Sequence, residues 1–376
     1  DIFFSWSEPL DVDNQNLITK LYFRGDTSFS IDVSENPIGI NVFAFHLPID
    51  DPILWFISVS DEDTTIYSDS LNFNISTILN HEGPNWYVTA DGSDLNGNGS
   101  VSYPFQTIQK AVNTSIDQDT IFISSDTFNG GININKGLHL RGLLENGIPP
   151  VIQGNSEGYG IIMTADGPIH DQLFTIKNIN FELFTAGAIN VTGNIFTGIS
   201  NCNFDLNENQ NGGAISAPYS HVFVDNSTFT NNYAQGYGGA LYSSTCEIYN
   251  SKFLSNRTGD SGGAIYSSGL SGIIKNTIFK SNRSENNGNA VFLNWNNGLF
   301  LNNTLYFNTS MTGGSSLRFI DENTKIKNSI FVENLNSFHS LSGSYDISFS
   351  NYTGPDNVSL LVGEGNINQN PLCLLK

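Results

Sequence analysis

A short motif, Asn-x-x-Phe, recurs seven times in the chain and constrains the fold more than any other feature of the sequence. The intervals between successive motif asparagines are 23, 25, 24, 26, 26 and 26 residues. A fixed period in this range indicates one structural unit per repeat, with neighbouring units stacked over a shared core. The asparagines are Asn178, Asn201, Asn226, Asn250, Asn276, Asn302 and Asn328, and the apolar partners are Phe181, Phe204, Phe229, Phe253, Phe279, Leu305 and Phe331.

Within each repeat, apolar and polar residues alternate in short runs that are broken by glycine and asparagine. Such alternation is typical of short β-strands, and glycine and asparagine suit the corners between strands because both tolerate left-handed backbone conformations. The sequence therefore predicts a parallel β-helix with one coil per repeat. The motif asparagines would form a hydrogen-bonded ladder along the axis, and the phenylalanines would fill the interior.

Two further features repeat with the same period. A second asparagine follows most of the motif phenylalanines by three residues, and a Gly-Gly-Ala motif follows that asparagine. In the repeat frame, Val222, Val224, Cys246 and Ile248 are predicted to point inward. Cys202 lies one residue past a corner asparagine and is predicted to point outward. The second asparagines are Asn207, Asn232, Asn256, Asn282, Asn308 and Asn334.

The β-helix is predicted to span residues 85–376. With about 4.8 Å of rise per coil, the stretch from about residue 120 to about residue 370 gives about ten coils and a rod on the order of 50 Å long. A β-sandwich or a propeller of short strands is the alternative. A propeller blade, however, needs about 40 residues, and the observed period is shorter.

Residues 1–84 lack the repeat and are predicted to form a separate small β-sandwich of immunoglobulin-like size. Runs with strand composition occupy residues 18–33, 39–47, 53–59 and 70–75. Residues 1–84 carry 14 acidic and 2 basic residues, hence a net charge of −12. This excess of acid either attracts divalent cations or keeps the segment soluble.

Composition narrows the classes of partner. Only 14% of the residues are charged, and the outward positions of the repeats are rich in Asn, Ser, Thr and Gly. Such a surface favours the stacking of coils or the binding of sugars. The formal net charge of −21 argues against nucleic-acid binding, which needs clustered Lys and Arg. The sequence contains no apolar run long enough for a membrane span.

Residues 86–116 are predicted to cap the first coil. Phe105, Ile108, Ala111 and Val112 have helical spacing and predict an amphipathic helix of about three turns. A helix at this place would cover the interior and the strand edge that the first coil otherwise exposes.

Residues 86–112, with their Pro-Phe-x-Thr-Ile-x-x-Ala segment, resemble the opening of pectin-lyase-like right-handed β-helix proteins. Residues 119–123 and 137–142 are similar to the first coils of that superfamily. The Gly-Gly-Ala-Ile and Phe-x-x-Asn pair also resembles the repeats of chlamydial polymorphic outer-membrane adhesins. The resemblance covers about residues 86–370 and implies an all-β fold with a right-handed parallel β-helix. It implies function only weakly, because the superfamily holds lyases, hydrolases, phage spikes and adhesins.

The catalytic motifs of pectin-degrading relatives, Gly-His-Gly and Arg-Ile-Lys, are missing from the sequence. Those enzymes need paired carboxylates, or Ca²⁺-binding aspartates near a basic residue. Asp166, His170 and Asp171 form the nearest approach to a catalytic cluster, and the six histidines are interpreted as surface or structural residues. The acidic residues between positions 200 and 340 do not obviously stack on one face.

Residues 94–99 match the first half of an Asp-x-Asn-x-Asn-Gly calcium loop. Side-chain oxygens of Asp94, Asn96 and Asn98 at alternate positions could converge on one Ca²⁺ ion, and glycine permits the turn. The twelfth position is Phe105, so the usual bidentate glutamate is missing. The prediction is a calcium site, with a plain turn as the alternative.

Eleven Asn-x-Ser/Thr sequons occur in the chain, and two of them, at Asn226 and Asn302, belong to the predicted corner ladder. The other nine are predicted glycosylation sites in a source that has the machinery, which fits an extracellular or cell-surface location. These nine are Asn74, Asn98, Asn113, Asn190, Asn256, Asn282, Asn308, Asn351 and Asn357.

Apolar segments lie at both ends of the chain, at residues 2–6 and 372–376. They are predicted either to join molecules head to tail by strand addition or to fold back on their own domains. The sequence thus favours a non-enzymatic extracellular structural or adhesive protein that self-associates as a filament or surface-appendage subunit, with glycans as ligands. The alternative is a carbohydrate-active β-helix enzyme, a polysaccharide lyase or glycoside hydrolase.

Overall fold

The computed structural model describes residues 2–5, 17–24, 29–34, 39–42, 53–60, 64–73, 81–154, 158–164, 173–320, 324–332, 338–340, 346–348 and 351–353. The chain divides into two compact units, Asp1–Asn80 and His81–Lys376. The division falls four residues before the end of the predicted N-terminal domain. No helix in these described ranges is long and apolar enough to cross a membrane.

The described residues of the N-terminal unit form antiparallel β-structure in two sheets. Residues 18–33, predicted as one strand, contain two strands instead, which pair antiparallel with each other. The immunoglobulin-like arrangement stays a prediction. The strands are β1 (Ile2–Ser5), β2 (Ile18–Arg24), β3 (Phe29–Asp32), β4 (Gly39–Val42), β5 (Ile53–Ser60), β6 (Thr65–Tyr67) and β7 (Leu71–Phe73).

The apolar N-terminal segment is already paired within its own unit. Strand β1 pairs antiparallel with β4, and Phe4 is buried against the rings of Phe23 and Trp55. This is the fold-back alternative of the sequence analysis, so this strand has one edge occupied within its own chain. The corresponding C-terminal segment, residues 372–376, lies outside the described residues.

The second unit is a parallel β-helix, as predicted, and its strands form three parallel sheets. One sheet has ten strands that pair in this order: β10 (Thr127–Asn129), β13 (Val151–Gln153), β16 (Asn180–Glu182), β19 (Asn203–Asp205), β22 (Thr228–Thr230), β25 (Lys252–Leu254), β28 (Ile278–Lys280), β31 (Thr304–Tyr306), β35 (Ile330–Val332) and β38 (Asn351–Thr353).

The other two sheets complete the coils. The five-stranded sheet contains β20 (Glu208–Asn209), β23 (Tyr233–Ala234), β26 (Arg257–Thr258), β29 (Arg283–Ser284) and β32 (Thr309–Ser310). The 16-stranded sheet contains β8 (Asn85–Val88), β9 (Thr120–Ile123), β11 (Ile132–Ile134), β12 (His139–Gly142), β14 (Ile161–Thr164), β15 (Leu173–Lys177), β17 (Ile189–Thr192), β18 (Phe196–Ser200), β21 (Ile215–Asp225), β24 (Leu241–Tyr249), β27 (Ile265–Lys275), β30 (Val291–Leu301), β33 (Leu317–Phe319), β34 (Lys325–Lys327), β36 (Phe338–Ser340) and β37 (Asp346–Ser348).

Stacked phenylalanines occupy the interior of the β-helix. The ring centroids of Phe181, Phe204, Phe229, Phe253 and Phe279 follow one another at 5.0, 4.7, 4.6 and 5.2 Å, and all five side chains are fully buried. These spacings are close to the separation of neighbouring strands, because the side chains stand in register on successive coils. The repeat of phenylalanine in the sequence therefore becomes a continuous apolar column.

The motif asparagines turn the corner between the 16-stranded and the ten-stranded sheet. All seven have positive φ, between 45° and 58°. Their side chains form the outer ladder, in which Asn226 donates to Asn201 (2.6 Å), Asn276 to Asn250 (3.0 Å) and Asn302 to Asn276 (3.1 Å). Each of these bonds points from a later coil to an earlier one.

A second, inner ladder consists of Asn207, Asn232, Asn256, Asn282 and Asn308. All five side chains are fully buried, unlike those of the outer ladder. Each Nδ2 of the first four donates to the Oδ1 of the next member, at 2.9 to 3.0 Å. The same amides donate to buried carbonyls of the phenylalanine column, and each Oδ1 from Asn232 onward accepts the backbone N–H of the previous ladder asparagine. The inner ladder thus satisfies backbone groups that the corner removes from water.

The prediction that Cys202 points outward is wrong. Cys202 is 1% exposed, and its Sγ donates to the backbone carbonyl of Ser200 at 3.2 Å. The left-handed asparagine bends the chain from one sheet to the next, so the residue that follows it points into the corner. Ser227, Ser251 and Thr277 occupy this position in later coils and are buried too. Burial raises the pKa of the Cys202 and Cys246 thiols to about 12.

The predicted capping helix is present but shorter than expected. Helix α1 (Ile108–Thr114) has two turns and buries Ile108, Ala111 and Val112. Phe105 was predicted to belong to the helix, and this is wrong. Its backbone bonds to Tyr87 and Thr89 on the neighbouring strand segment, and the helix can begin only after these bonds end.

Candidate functional site

The predicted catalytic cluster cannot be placed, because Asp166, His170 and Asp171 lie outside the described residues. Within the part of the chain that the structure describes, no group of three or more His, Cys, Asp or Glu residues could hold a metal ion. The candidate site must therefore be sought among other side chains.

Asp94 of the predicted calcium loop makes contacts with the start of α1. Its Oδ1 accepts the backbone N–H groups of Gln106 (2.9 Å) and Thr107 (3.0 Å), and its Oδ2 accepts the Thr107 hydroxyl (2.6 Å). Partial burial raises the pKa of Asp94, but these hydrogen bonds outweigh it and hold the pKa below its usual range. Asn96 is exposed, and Asn98 accepts from the Ser100 N–H. Calcium binding by Asp94, Asn96 and Asn98 stays a prediction.

Substitution Asp94→Ala is expected to destabilise the cap by about 1–2 kcal/mol, because it removes the acceptor of three hydrogen bonds at the start of α1. Because the folded-state pKa is lowered, this stabilisation is present at neutral pH and is lost as the pH falls through the folded pKa. Hydrogen exchange of the α1 amides from acid to neutral pH measures the loss of stability and its pH dependence. The same measurement with calcium and with EDTA shows whether a metal contributes.

The control is Asn96→Ala, which removes another predicted calcium ligand but none of these bonds. Protection of α1 should fall only in Asp94→Ala and should not depend on calcium. A calcium-dependent loss of protection in both variants would contradict a purely structural role and support a metal site.

The structure separates the predicted glycosylation sites into accessible and inaccessible positions. Asn256, Asn282 and Asn308 belong to the inner ladder, so their amides are inaccessible in the folded chain. Asn113 is exposed, and Asn98 and Asn190 are half-buried. The side chains of Asn74, Asn351 and Asn357 lie outside the described residues.

An aromatic column, Tyr242, Tyr266 and Phe292, lies on the outer face of the 16-stranded sheet. The three residues are directly paired on β24, β27 and β30. Ring centroids are 5.6 Å apart between the two tyrosines and 4.8 Å apart between Tyr266 and Phe292. Tyr237, from the turn before β24, places its ring 4.7 Å from Tyr266 and is 37% exposed. Alternation along each strand points these rings away from the buried residues Leu241, Ile265 and Val291.

Polar groups flank the aromatic column. Asp260 lies beside Tyr237, and its negative charge, with partial burial, raises the pKa of the Tyr237 hydroxyl. Burial likewise raises the pKa of Tyr266. Both hydroxyls are thus protonated at neutral pH, and the Tyr237 hydroxyl donates a hydrogen bond to Asp260. Arg318 follows Phe292 in the same register, and its buried Nε has no hydrogen-bond partner among the described residues.

A second cluster on the same sheet contains His221, Glu247 and Tyr249. The His221 Nε2 lies 3.4 Å from Glu247 Oε1, and the Tyr249 hydroxyl donates to Glu247 Oε2 at 3.2 Å. Phe196 places its ring 5.0 Å from the His221 ring. The interpretation of the histidines as surface or structural residues did not foresee this carboxylate–imidazole pair, which joins neighbouring coils through the register of β21 and β24.

A cleft of about 420 Å³ lies beside the cap, between α1 and the chain from β10 to β11. Its lining includes Gln106, Gln109, Asn129 and Phe128, and no charged side chain. Gln109 is already bound to the Asn133 backbone through both its amide groups. The cleft is thus less suited to chemistry than the outer face of the 16-stranded sheet.

The aromatic column has a signal in the sequence. An aromatic residue follows the inward apolar residue after each Gly-x-Ala segment in three successive repeats, at Tyr242, Tyr266 and Phe292. An outward aromatic at a fixed place in consecutive coils predicts a stacked surface column, just as the inward phenylalanines predict a core.

A scan against protein-family models and a search of curated proteins found no match. Among solved structures, a rhamnogalacturonan lyase is similar at a TM-score of 0.37 and 13% identity, over 71% of this chain and 87% of that one. A GH136 lacto-N-biosidase from Eubacterium ramulus is similar at a TM-score of 0.25 and 10% identity, over 69% of this chain and 67% of that one. These low scores carry no argument about activity, and the comparisons lend no support to the resemblance to chlamydial adhesins. The parallel β-helix itself is established by the strand register.

Proposed function

We propose that this chain is a non-enzymatic, carbohydrate-binding adhesive protein whose aromatic column holds the glycan. The observation that carries the proposal is the stack of Tyr242, Tyr266 and Phe292 on the outer face of the β-helix, with Tyr237 beside it. Tyr242 and Tyr266 are half-buried and Phe292 is 9% exposed, so the two tyrosines and the more exposed Tyr237 form the accessible part of this outward stack. An outward aromatic stack on consecutive coils is typical of an interaction surface.

The chemistry of this surface matches a sugar. A pyranose ring has an apolar C–H face that packs on an aromatic ring and a rim of hydroxyls that need hydrogen-bond partners. The tyrosine hydroxyls and Asp260 offer donors and an acceptor at one side of the column, and Arg318 offers a donor at its end. One carboxylate and one guanidinium flank the aromatic rings, so the surface has no excess of either charge, which favours a hydroxyl-rich ligand over a highly charged one.

The shape of the surface favours a polymer over a small molecule. The column follows the β-helix axis with a step of about 4.8 Å per coil, comparable with the length of one sugar residue. Small-molecule sites are usually concave and enclosed, whereas these rings stand side by side along the outer face of a sheet. Several sugar units could thus contact successive coils.

The double substitution Tyr237→Ala/Tyr242→Ala is expected to weaken glycan binding at least tenfold, about 1.4 kcal/mol, because it removes stacking area and two hydroxyls. A glycan array identifies the ligand, and titration calorimetry with the best oligosaccharide measures the affinity. Tyr103→Ala is the matched control, since Tyr103 is exposed in the cap region. Equal affinity of the double variant and the wild type would refute binding at the aromatic column.

A carbohydrate-active enzyme is the second candidate, and the His221–Glu247–Tyr249 cluster favours it. A carboxylate beside an imidazole could move a proton to or from a sugar oxygen. Release of new reducing ends or unsaturated products from a bound glycan, lost in Glu247→Gln, would establish this candidate. Binding without any turnover would favour the adhesive role.

An extracellular or cell-surface location, glycosylation and self-association agree with this role and remain part of the proposal. Calcium at residues 94–98 belongs to it as well. Analytical ultracentrifugation of the purified chain with and without EDTA examines self-association and calcium together.

A further inference from the structure

Two arginines lie directly beside each other on the outer face of the five-stranded sheet. Arg257 on β26 and Arg283 on β29 are paired in register, and both are exposed. The residue after each of them, Thr258 or Ser284, is buried, so strand alternation turns the two arginines outward together. Their backbones are thus about 4.8 Å apart, the usual strand separation.

Aromatic rings hold the neighbouring cations in place. The Arg257 guanidinium lies over the ring of Tyr233, at 4.7 Å from its centroid, and Tyr233 precedes Arg257 in the same register. Around the corner of the same coil as Arg283, the Lys280 ammonium lies 5.2 Å from the ring centroid of Tyr306. Stacking of this kind restricts a long cationic side chain and reduces the entropy that it loses on binding a ligand.

The arginine pair has no compensating carboxylate among the residues that the structure describes. The ion pair found there within 4.0 Å joins His221 and Glu247, although Asp260 and Glu285 are close to the arginines along the chain. Like charges directly opposite on neighbouring strands destabilise a sheet. The chain has a net charge of −21, so the lack of an acidic residue paired with these arginines does not reflect a shortage of acidic residues.

We propose that Arg257 and Arg283 form an oxyanion-binding site for a sulfate or carboxylate group carried by a polysaccharide. Each guanidinium presents a planar fork of N–H donors that matches such a group with two parallel hydrogen bonds. Two forks on adjacent coils can hold one oxyanion between them, and Lys280 adds positive charge near the same corner. An anion there also removes the repulsion between the two arginines.

This site is distinct from the aromatic column. The arginines belong to the five-stranded sheet and the column to the 16-stranded sheet. Binding of an anionic polymer at the arginine pair should survive Tyr237→Ala/Tyr242→Ala, so failure of one proposal does not decide the other.

The test compares three polymers with one backbone: neutral dextran, carboxymethyl dextran and dextran sulfate. Binding to each polymer, immobilised on a sensor surface, is measured at low salt and at about 0.15 M salt. The wild type is expected to bind at least one anionic dextran, more weakly as salt rises, and not the neutral one. The preferred anionic polymer identifies sulfate or carboxylate as the group held.

The variant Arg257→Gln/Arg283→Gln is expected to lose binding at least tenfold. The control Lys177→Gln/Lys325→Gln removes two exposed positive charges from another sheet and should change affinity by less than about twofold. Arg257→Lys/Arg283→Lys keeps the charge without the planar fork and should fall between the two. Equal losses in the glutamine variant and the control, or no wild-type binding to either anionic dextran, would overturn the proposal.

Discussion

Replacement of Phe253 by alanine is expected to lower the free energy of unfolding of the β-helix by about 3–5 kcal/mol. The Phe253 ring is fully buried between Phe229 and Phe279, with centroids 4.6 and 5.2 Å away. Alanine would leave a cavity in the middle of the column, and the flanking rings are fixed to their own coils by strand pairing and cannot close it. Urea denaturation followed by far-UV circular dichroism measures the loss as a lower midpoint.

The matched variant is Phe253→Leu. Leucine already occupies this column at Leu305, where it is fully buried, so the coil accepts its shape. The leucine variant should lose much less stability than the alanine variant. If both lose the same amount, the ring-to-ring stacking rather than the filled volume holds the coils together. If neither variant loses stability, the phenylalanine column does not stabilise this part of the β-helix.

Asn256→Asp is expected to cost about 3–5 kcal/mol at neutral pH, because it places a charge in a fully buried position. The Asn256 Nδ2 donates to the Phe229 carbonyl and to Asn282 Oδ1, both at 2.9 to 3.0 Å. A carboxylate has no hydrogen to give to either acceptor and would face both with negative charge. The aspartate would therefore have a raised pKa in the folded state, and its cost should diminish as the pH falls and the carboxyl becomes protonated.

Asn276→Asp is the control for this pair. The same substitution in the outer ladder removes one exposed hydrogen bond, to Asn250, and keeps a residue type that accepts positive φ. Its cost should be below about 1 kcal/mol and nearly independent of pH. Thermal unfolding of both variants from acid to neutral pH checks the contrast. Equal, pH-independent losses would show that burial of the inner ladder is not the cause.

The sequence predicts the features of the fold that depend on the preferences of single residues, which are the inward phenylalanines and the corner asparagines. Phe204 and Phe229 recur at the same place in each coil, and their large apolar side chains favour the interior. Asn201 and Asn226 recur at the corner where the chain turns from one sheet to the next. Asparagine tolerates the left-handed conformation that this corner requires. These preferences act within a few residues, so periodicity alone reveals them.

Burial within the corner was harder to predict, since two asparagines per repeat look alike in the sequence. Asn226 is exposed and Asn232 is fully buried, although both hydrogen-bond along the axis. The difference arises from the left-handed turn between them and from the carbonyls left inside it. Cys202 was misplaced for the same reason, because the direction of a side chain after a left-handed residue depends on the turn.

The cluster of His221, Glu247 and Tyr249 was missed because it depends on register between coils. Residues that meet on the outer face come from repeats of 23 to 26 residues, so their offsets vary. The pairing of β24 with β27 even shifts between Ser243 and Glu247, so equivalent positions at the two ends of one strand differ in offset. A pair such as His221 and Glu247 is therefore visible only once strand pairing is known.

The two asparagine ladders point in opposite directions. In the outer ladder the amides donate toward the N-terminal coils, whereas in the inner ladder they donate toward the C-terminal coils. The inner ladder is a continuous chain of aligned amide dipoles, which strengthen one another by mutual polarisation, whereas the outer ladder is interrupted at Asn250, which donates to Asp225. Because the two chains are antiparallel, their axial moments oppose each other, and added coils lengthen both by the same number of dipoles. The side-chain ladders of the β-helix therefore offset each other along the axis, whereas the peptide dipoles of an α-helix add up to partial charges at its two ends.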